Sequence, residues 1–182
     1  MTKKIIIVFL GALLAINGCF CNGKPRTASV RTLAIGREAP DFSLPLTDGS
    51  VLKLSNYRGK IIILDFWATW CGPCKMEIPG FINIMDKYSD RGVVIIGVSL
   101  DANLTMEQLA AFGRKMGINY QIGMPEDNEA ISYQYGGIGS IPTTFTIDRQ
   151  GRIRDKINGA MPQSYFENNI EIVLKEDAPV QN

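Results

Sequence analysis

Histidine is absent from this chain and cysteine is scarce, with four in 182 residues, two of them close together at Cys19 and Cys21. A structural zinc site takes four ligands, mostly sulfur and imidazole. Beyond the N-terminal segment only Cys71 and Cys74 remain, so a zinc centre would lack two ligands, and neither a metal nor another cofactor is expected. An excess of one charge is missing too, with 19 basic against 18 acidic residues. That balance offers no basic surface for nucleic acid, and no nucleic-acid partner is expected. No internal repeat or low-complexity tract breaks the sequence, and the opening apolar run, Ile5 to Ile16, is too short to span a bilayer comfortably.

What is present begins with that run. Lys3-Lys4 followed by Ile5 to Ile16 has the layout of a signal peptide over residues 1–18, so the chain is expected to be exported to the cell envelope. Ile16-Asn17-Gly18-Cys19 resembles a bacterial lipobox with Asn17 as an atypical occupant, which makes Cys19 a candidate lipidation site and the protein a membrane-anchored lipoprotein facing the periplasm or another extracytoplasmic side. Ordinary cleavage near Gly18, giving a soluble periplasmic protein, and retention as a short anchor are the alternatives. Residues 19–34, with Gly23, Pro25 and several basic and small polar residues, form the expected tether. The remainder, 46% hydrophobic over the whole chain, suffices for one domain with a sizeable core over 35–175, followed by a disordered tail over 176–182.

The most informative stretch is Cys71-Gly72-Pro73-Cys74, directly after the apolar run Ile61-Ile62-Ile63-Leu64-Asp65-Phe66-Trp67. A buried strand that delivers two cysteines onto the first turn of a helix suits dithiol–disulfide exchange. The helix N-terminus stabilises a thiolate at Cys71, and the three-residue offset brings Cys74 within bonding reach. Cys71 is therefore the expected nucleophile and Cys74, one turn inside and more shielded, the resolving cysteine. Pro73 sits where a missing N–H costs nothing. An inert cysteine pair is the bland alternative.

The elements follow from periodicity and turn signals. Phe42 to Leu44 and Val51 to Leu54 alternate around Thr47-Asp48-Gly49-Ser50, as in an N-terminal hairpin. Ile61 to Trp67 and Val93 to Leu100 are buried strands, and a helix from Cys71 or Gly72 to about Ser89 is expected to bend near Pro79. Met106 to Met116 is helical with Thr105 or Asn103 as cap, Asn119 to Met124 a short strand, and Glu126 to Tyr135 a helix ended by Gly136-Gly137. Thr143 to Asp148 and Ile153 to Asn158 form a terminal hairpin ahead of a last helix over Pro162 to Leu174. A crossover needs about a dozen residues, so Asp101 to Ile141 holds an extra strand and helix.

Asp65-Phe66-Trp67-Ala68-Thr69-Trp70-Cys71-Gly72-Pro73-Cys74-Lys75 resembles the thioredoxin active-site signature, and Gly139-Ser140-Ile141-Pro142-Thr143-Thr144-Phe145 resembles that family's cis-proline loop. The likeness runs from about Ile35 to Leu174. Its layout is most similar to the ResA/TlpA-like branch, on the exported N-terminus, the AhpC/TSA-type opening Gly36-Arg37-Glu38-Ala39-Pro40-Asp41-Phe42, and Cys74-Lys75-Met76-Glu77-Ile78-Pro79. The resemblance implies an α/β thioredoxin-like fold: a central mixed sheet flanked by helices, with an N-terminal hairpin and a central strand–helix insertion. It also implies a reductase of protein disulfides, with apocytochrome c among its substrates and a membrane thiol donor.

Further site residues are weighed against that background. Asp65 interrupts an apolar strand, where an unpaired carboxylate is costly, so its pKa should rise. It matches thioredoxin's buried aspartate and so is a candidate proton relay for Cys74, whereas many ResA/TlpA-like members carry another residue there; a strand-end aspartate reaching water is the alternative. Glu77 coincides with a glutamate the ResA-like family uses near its cysteines, against a solvated helix-face residue. Trp70 is expected to shield the disulfide and present an apolar face to substrates together with Gly72 and Pro73, and Trp67 to join the core. A cis bond before Pro142 would leave the Ile141 backbone free to pair with an extended substrate segment. Two other classes stay open, a peroxiredoxin-type thiol peroxidase and a non-catalytic binding module. Against the first, Ala68 stands where the peroxidatic motif needs threonine. Against the second stands the intact cysteine pair.

Overall fold

Ile61–Trp67 is buried at all seven positions and forms β3, the middle of a five-stranded sheet. Only a strand paired on both edges and covered on both faces accepts so continuous an apolar run. In the computed structural model, which describes residues 35–176, its neighbours are β4 (Val93–Ser99), parallel, and β6 (Thr143–Ile147), antiparallel. Outside them lie β5 (Gln121–Gly123), parallel to β4, and β7 (Ile153–Asn158), antiparallel to β6, giving the order β5-β4-β3-β6-β7. The expected signal peptide, Cys19 and tether, and residues 177–182, lie outside the described residues. This is the thioredoxin-like mixed sheet flanked by helices.

Alternation along β3 sorts the layers. Ile61 and Ile63 pack with Phe81 and Ile84 of α1 (Gly72–Tyr88) and with Phe166 and Ile170 of α4 (Gln163–Glu176). Ile62, Leu64 and Phe66 point the other way, into a cluster with Leu44, Leu52, Ile131 and Tyr135. That second layer is the hairpin of β1 (Ser43–Pro45) and β2 (Val51–Lys53) together with α3 (Asn128–Gln134). Its register sets Leu44 opposite Leu52, so both leucines are buried. Trp67 joins the core against Leu109 of α2 (Met106–Met116) and Ile122 of β5.

Boundaries depart from expectation where a cap or pair decides them. The second strand of the N-terminal hairpin is one residue shorter than the alternation suggested, because Leu54 opens a 3₁₀ turn, Leu54–Tyr57, while the first keeps its length and moves from Phe42–Leu44 to Ser43–Pro45. Thr105, not Asn103, caps α2 through a reciprocal pair with Gln108. α3 starts at Asn128 instead of Glu126, because the Asp127 carboxylate accepts the N–H groups of Glu129 and Ala130 at 2.9 Å. Pro79 lies inside α1 without ending it, and a 3₁₀ turn over Ser89–Arg91 follows the helix. At the other end α4 continues through Glu176, two residues past the expected helix end at Leu174, and the Glu176 carboxylate meets Arg154 at 2.6 Å.

The hairpin is joined to the main sheet at one tight place. Leu46 bridges Gly123, and the Met124 N–H bonds the Pro45 carbonyl at 3.1 Å. A Cβ on Gly123 would overlap that carbonyl oxygen and crowd Leu44 Cγ at 2.9 Å. Gly123→Ala is therefore expected to lower unfolding stability by about 2–3 kcal/mol, as backbone-limited overpacking does. Urea unfolding checks it; an unchanged midpoint would show that the hairpin does not dock here.

Candidate active site

The cysteine pair hangs from the carboxyl end of β3. After Trp67 the chain turns at once, the Cys71 N–H bonding the Ala68 carbonyl at 3.1 Å, and α1 starts at Gly72 with Pro73 in its first turn. Cys71 is the cap: its Sγ accepts the Cys74 N–H at 3.2 Å, and Cys71 and Cys74 form a disulfide with Cα atoms 5.3 Å apart. Neither sulfur-bearing residue is open in this oxidised state, Cys71 being 4% and Cys74 2% exposed. The expected difference in shielding is slight here, since one cover serves two bonded sulfurs. Trp70 stands above them 69% exposed, beside exposed Gly72 and Pro73.

The second wall is the loop before β6. The Ile141–Pro142 bond is cis, Pro142 is buried, and the Ile141 carbonyl oxygen lies 3.8 Å from Cys71 Sγ. Among the described residues the Ile141 N–H has no partner. A half-buried backbone donor and acceptor thus adjoin the disulfide, available to an extended chain laid across it.

Two buried carboxyls lie on the strand and the helix that flank the disulfide, Asp65 on β3 and Glu77 on α1. Asp65 shares the α1-facing side of β3 with Ile61 and Ile63 and is buried, and its Oδ1 accepts the Thr144 hydroxyl at 3.1 Å. Burial, and after it the charge of Glu77, push its pKa up to about 8, while the Thr144 bond pulls the other way. Glu77, three residues past Cys74 on α1, is buried as well, so the solvated alternative does not hold. Its Oε1 accepts the Met161 N–H at 2.8 Å from the loop before α4, while Oε2 is buried with no partner. Burial lifts Glu77 to about 7, against the Met161 bond. The phenol of Tyr120, beside them, is raised by burial and by both carboxylates.

The structure thus gathers Trp70, Cys71, Gly72, Pro73, Cys74, Ile141 and Pro142 at one end of the sheet, with Asp65 two residues before the end of β3 and Glu77 one turn past Cys74 on α1. Sequence reasoning missed Thr144, which the β3–β6 register sets opposite Asp65, and Met161, whose backbone alone takes part. It also missed Asp101, a buried acid after β4 that accepts from Thr69 and Ser99. The only signal for Asp101 was a polar pair, Ser99 and Asp101, closing an apolar run.

The AhpC/TSA family model matches residues 35–156. Thiol-disulfide oxidoreductase ResA of Geobacillus thermodenitrificans is 32% identical over 142 residues, covering 78% of this chain and 79% of that protein. Thioredoxin-like protein YneN of Bacillus subtilis is 32% identical over 137 residues, 75% of this chain and 79% of that one. A solved thiol:disulfide interchange protein of the thioredoxin family from Chlorobium tepidum superposes with a TM-score of 0.66 at 30% identity, covering 78% of this chain and 98% of that one. The chain belongs to the AhpC/TSA family and is one of its thioredoxin-like thiol-disulfide oxidoreductases.

Proposed function

We propose that the protein is an exported reductase of protein disulfides, held at the envelope membrane by a lipid on Cys19 and recharged by a membrane thiol donor. The observation that carries this reading is a disulfide-forming Cys71–Cys74 pair beside the exposed Trp70, on a strand and helix that also carry the buried acids Asp65 and Glu77. The reducing direction is supported by Gly72-Pro73, the thioredoxin dipeptide; thioredoxin's potential is about −270 mV against about −120 mV for the oxidant DsbA. Apocytochrome c, with paired cysteines awaiting haem, is the substrate suggested by the ResA-like layout.

The cycle balances as two exchanges. The Cys71 thiolate attacks one sulfur of the substrate disulfide, forms a mixed disulfide and releases the first substrate thiolate. Cys74, its proton passed to the buried acid pair, attacks Cys71 Sγ and releases the second. The substrate leaves as two thiols and the enzyme as the Cys71–Cys74 disulfide, which the donor dithiol reduces. Trp70 with Gly72 and Pro73 receives the substrate, and the free Ile141 N–H and C=O pair with its backbone. Asp65 relays the proton, and Glu77 sets the charge beside it.

Three measurements test this. Cys74→Ser is expected to accumulate covalent complexes with envelope proteins that mass spectrometry can identify, and Cys71→Ser none; equal trapping by both would overturn the assigned roles. The second concerns pH. Asp65 has a folded-state pKa near 8 against an ordinary value of 3.8, so the folded protein holds an extra proton between them. Its contribution to stability is fully present below pH 4 and is lost as pH rises through 8. Asp65→Asn should flatten that decline and slow the resolution step. It should also stabilise the protein at pH 9 by on the order of a few kcal/mol, since each tenfold change in proton affinity on folding is worth about 1.4 kcal/mol. Thermal unfolding from pH 5 to 9 with single-turnover kinetics checks both, and an unaltered pH profile would reduce Asp65 to packing. The third is location. Cys19→Ser should release the protein from membranes or leave its precursor unprocessed, whereas an intact mass showing an unmodified N-terminus downstream of Cys19 would leave a soluble exported enzyme. Among the described residues no helix is long and apolar enough to cross a membrane.

A further inference from the structure

We infer that Asp101 is the positioning residue of the docking face: it fixes the Thr69–Trp70 turn, and through it the capture of protein disulfides, without taking part in the sulfur chemistry. The inference rests on the reading of Trp70 as the surface that receives substrate.

The geometry begins where the sheet stops. The pairing of β3 with β4 ends at Trp67 opposite Ser99, and the Leu100 N–H closes it on the Trp67 carbonyl at 2.8 Å. The next turn has no strand to hold it. Asp101 supplies the hold: its Oδ2 accepts the Thr69 N–H at 2.9 Å and its Oδ1 the Thr69 hydroxyl at 2.8 Å. Ser99, fully buried, donates its hydroxyl to Oδ2 at 2.7 Å and fixes the carboxylate from behind. Two bonds to one residue set both its place and its rotation. Asp101 is itself only 7% exposed, and each partner is a donor, the set that offsets burial of a carboxylate.

Trp70 follows Thr69 directly, and an indole 69% exposed has little packing of its own to orient it. Its backbone must do so. Cys71 is held separately, by its bond to the Ala68 carbonyl, by the Cys74 N–H and by α1. Loosening the Asp101 grip should therefore move the platform and spare the nucleophile.

The test compares reduction of insulin, a protein disulfide, with reduction of bis(2-hydroxyethyl) disulfide, too small to need a platform, both with excess dithiol as donor. Asp101→Ala is expected to raise KM for insulin about tenfold, the equivalent of one to two lost hydrogen bonds, with kcat and the small-disulfide rate constant within about twofold of the parent. Asp101→Asn keeps an acceptor for the Thr69 N–H while its amide group can donate to the Thr69 hydroxyl, and should restore most of the affinity. Should Asp101→Ala fail to fold, Thr69→Val, which removes only the hydroxyl bond, should raise the insulin KM about threefold. In a Trp70→Ala background the Asp101 substitutions should add nothing further. Equal losses on both substrates, or full additivity with Trp70→Ala, would overturn the inference. A Trp70→Ala protein that reduces insulin normally would remove the docking reading itself, a different failure from a Trp70-sensitive enzyme indifferent to Asp101.

Discussion

β3 bonds to a strand on each side and is covered on both faces, and every part of the site is placed by that one strand. Its carboxyl end aims the chain into the turn that begins α1. Its parallel neighbour β4 brings Asp101 to the same end, and its antiparallel neighbour β6 starts immediately after Pro142. Ligand sites of open α/β sheets collect where strands end and their polar backbone runs out of ladder partners. Here the loose backbone has two fates: the Thr69 N–H goes to Asp101, while among the described residues the Ile141 N–H has no partner.

The buried acids are treated in two ways. Asp101 accepts three hydrogen bonds, so the group acts as an anchor. Asp65 and Glu77 accept one each, Glu77 Oε2 accepts none, and the charge of Glu77 adds to the cost of ionising Asp65. A carboxylate so poorly compensated takes up a proton instead. The number of donors thus separates a well-anchored carboxyl from two poorly partnered ones whose pKa burial raises, on the same end of the same sheet.

Much of this was legible in the chain. The buried strands announced themselves as β-branched apolar runs, Asp65 as the one acid inside such a run, and the cysteine pair by its spacing and position. Pro142 was legible through the loop's likeness to thioredoxin. What escaped depends on register and on backbone groups. Nothing in the sequence sets Thr144 opposite Asp65, because that requires the β3–β6 alignment, and the Met161 N–H is a property any residue there would share. The burial of Glu77 could not be separated from exposure by its spacing, since an i, i+3 neighbour of Cys74 faces the sheet only if the helix is rotated so, and the rotation is set by Ile78, Phe81 and Ile84 packing inward. The early end of β2 and the late start of α3 were settled by a 3₁₀ turn and an aspartate cap that compete locally with longer elements.

The oxidation state bears on the proposed proton path. Forming the Cys71–Cys74 disulfide by resolution requires Cys74 to surrender a proton, and the structure is that oxidised product. Asp65, with a pKa near 8, is mostly protonated at neutral pH in this state, which a base that has just accepted a proton should be. On the proposed path the same proton would then return to the Cys74 sulfur when a donor dithiol reopens the bond, one carboxyl serving both half-cycles in opposite directions. Glu77, near 7, is divided between its two forms at that pH and shifts its neighbour's affinity for the proton according to its own charge. A single buried acid of ordinary pKa would stay ionised throughout and hold nothing to give back. Undersupplying both carboxyls with donors, at a cost in stability that grows with pH, keeps protons on buried groups near neutrality, which is the condition the proposed relay needs.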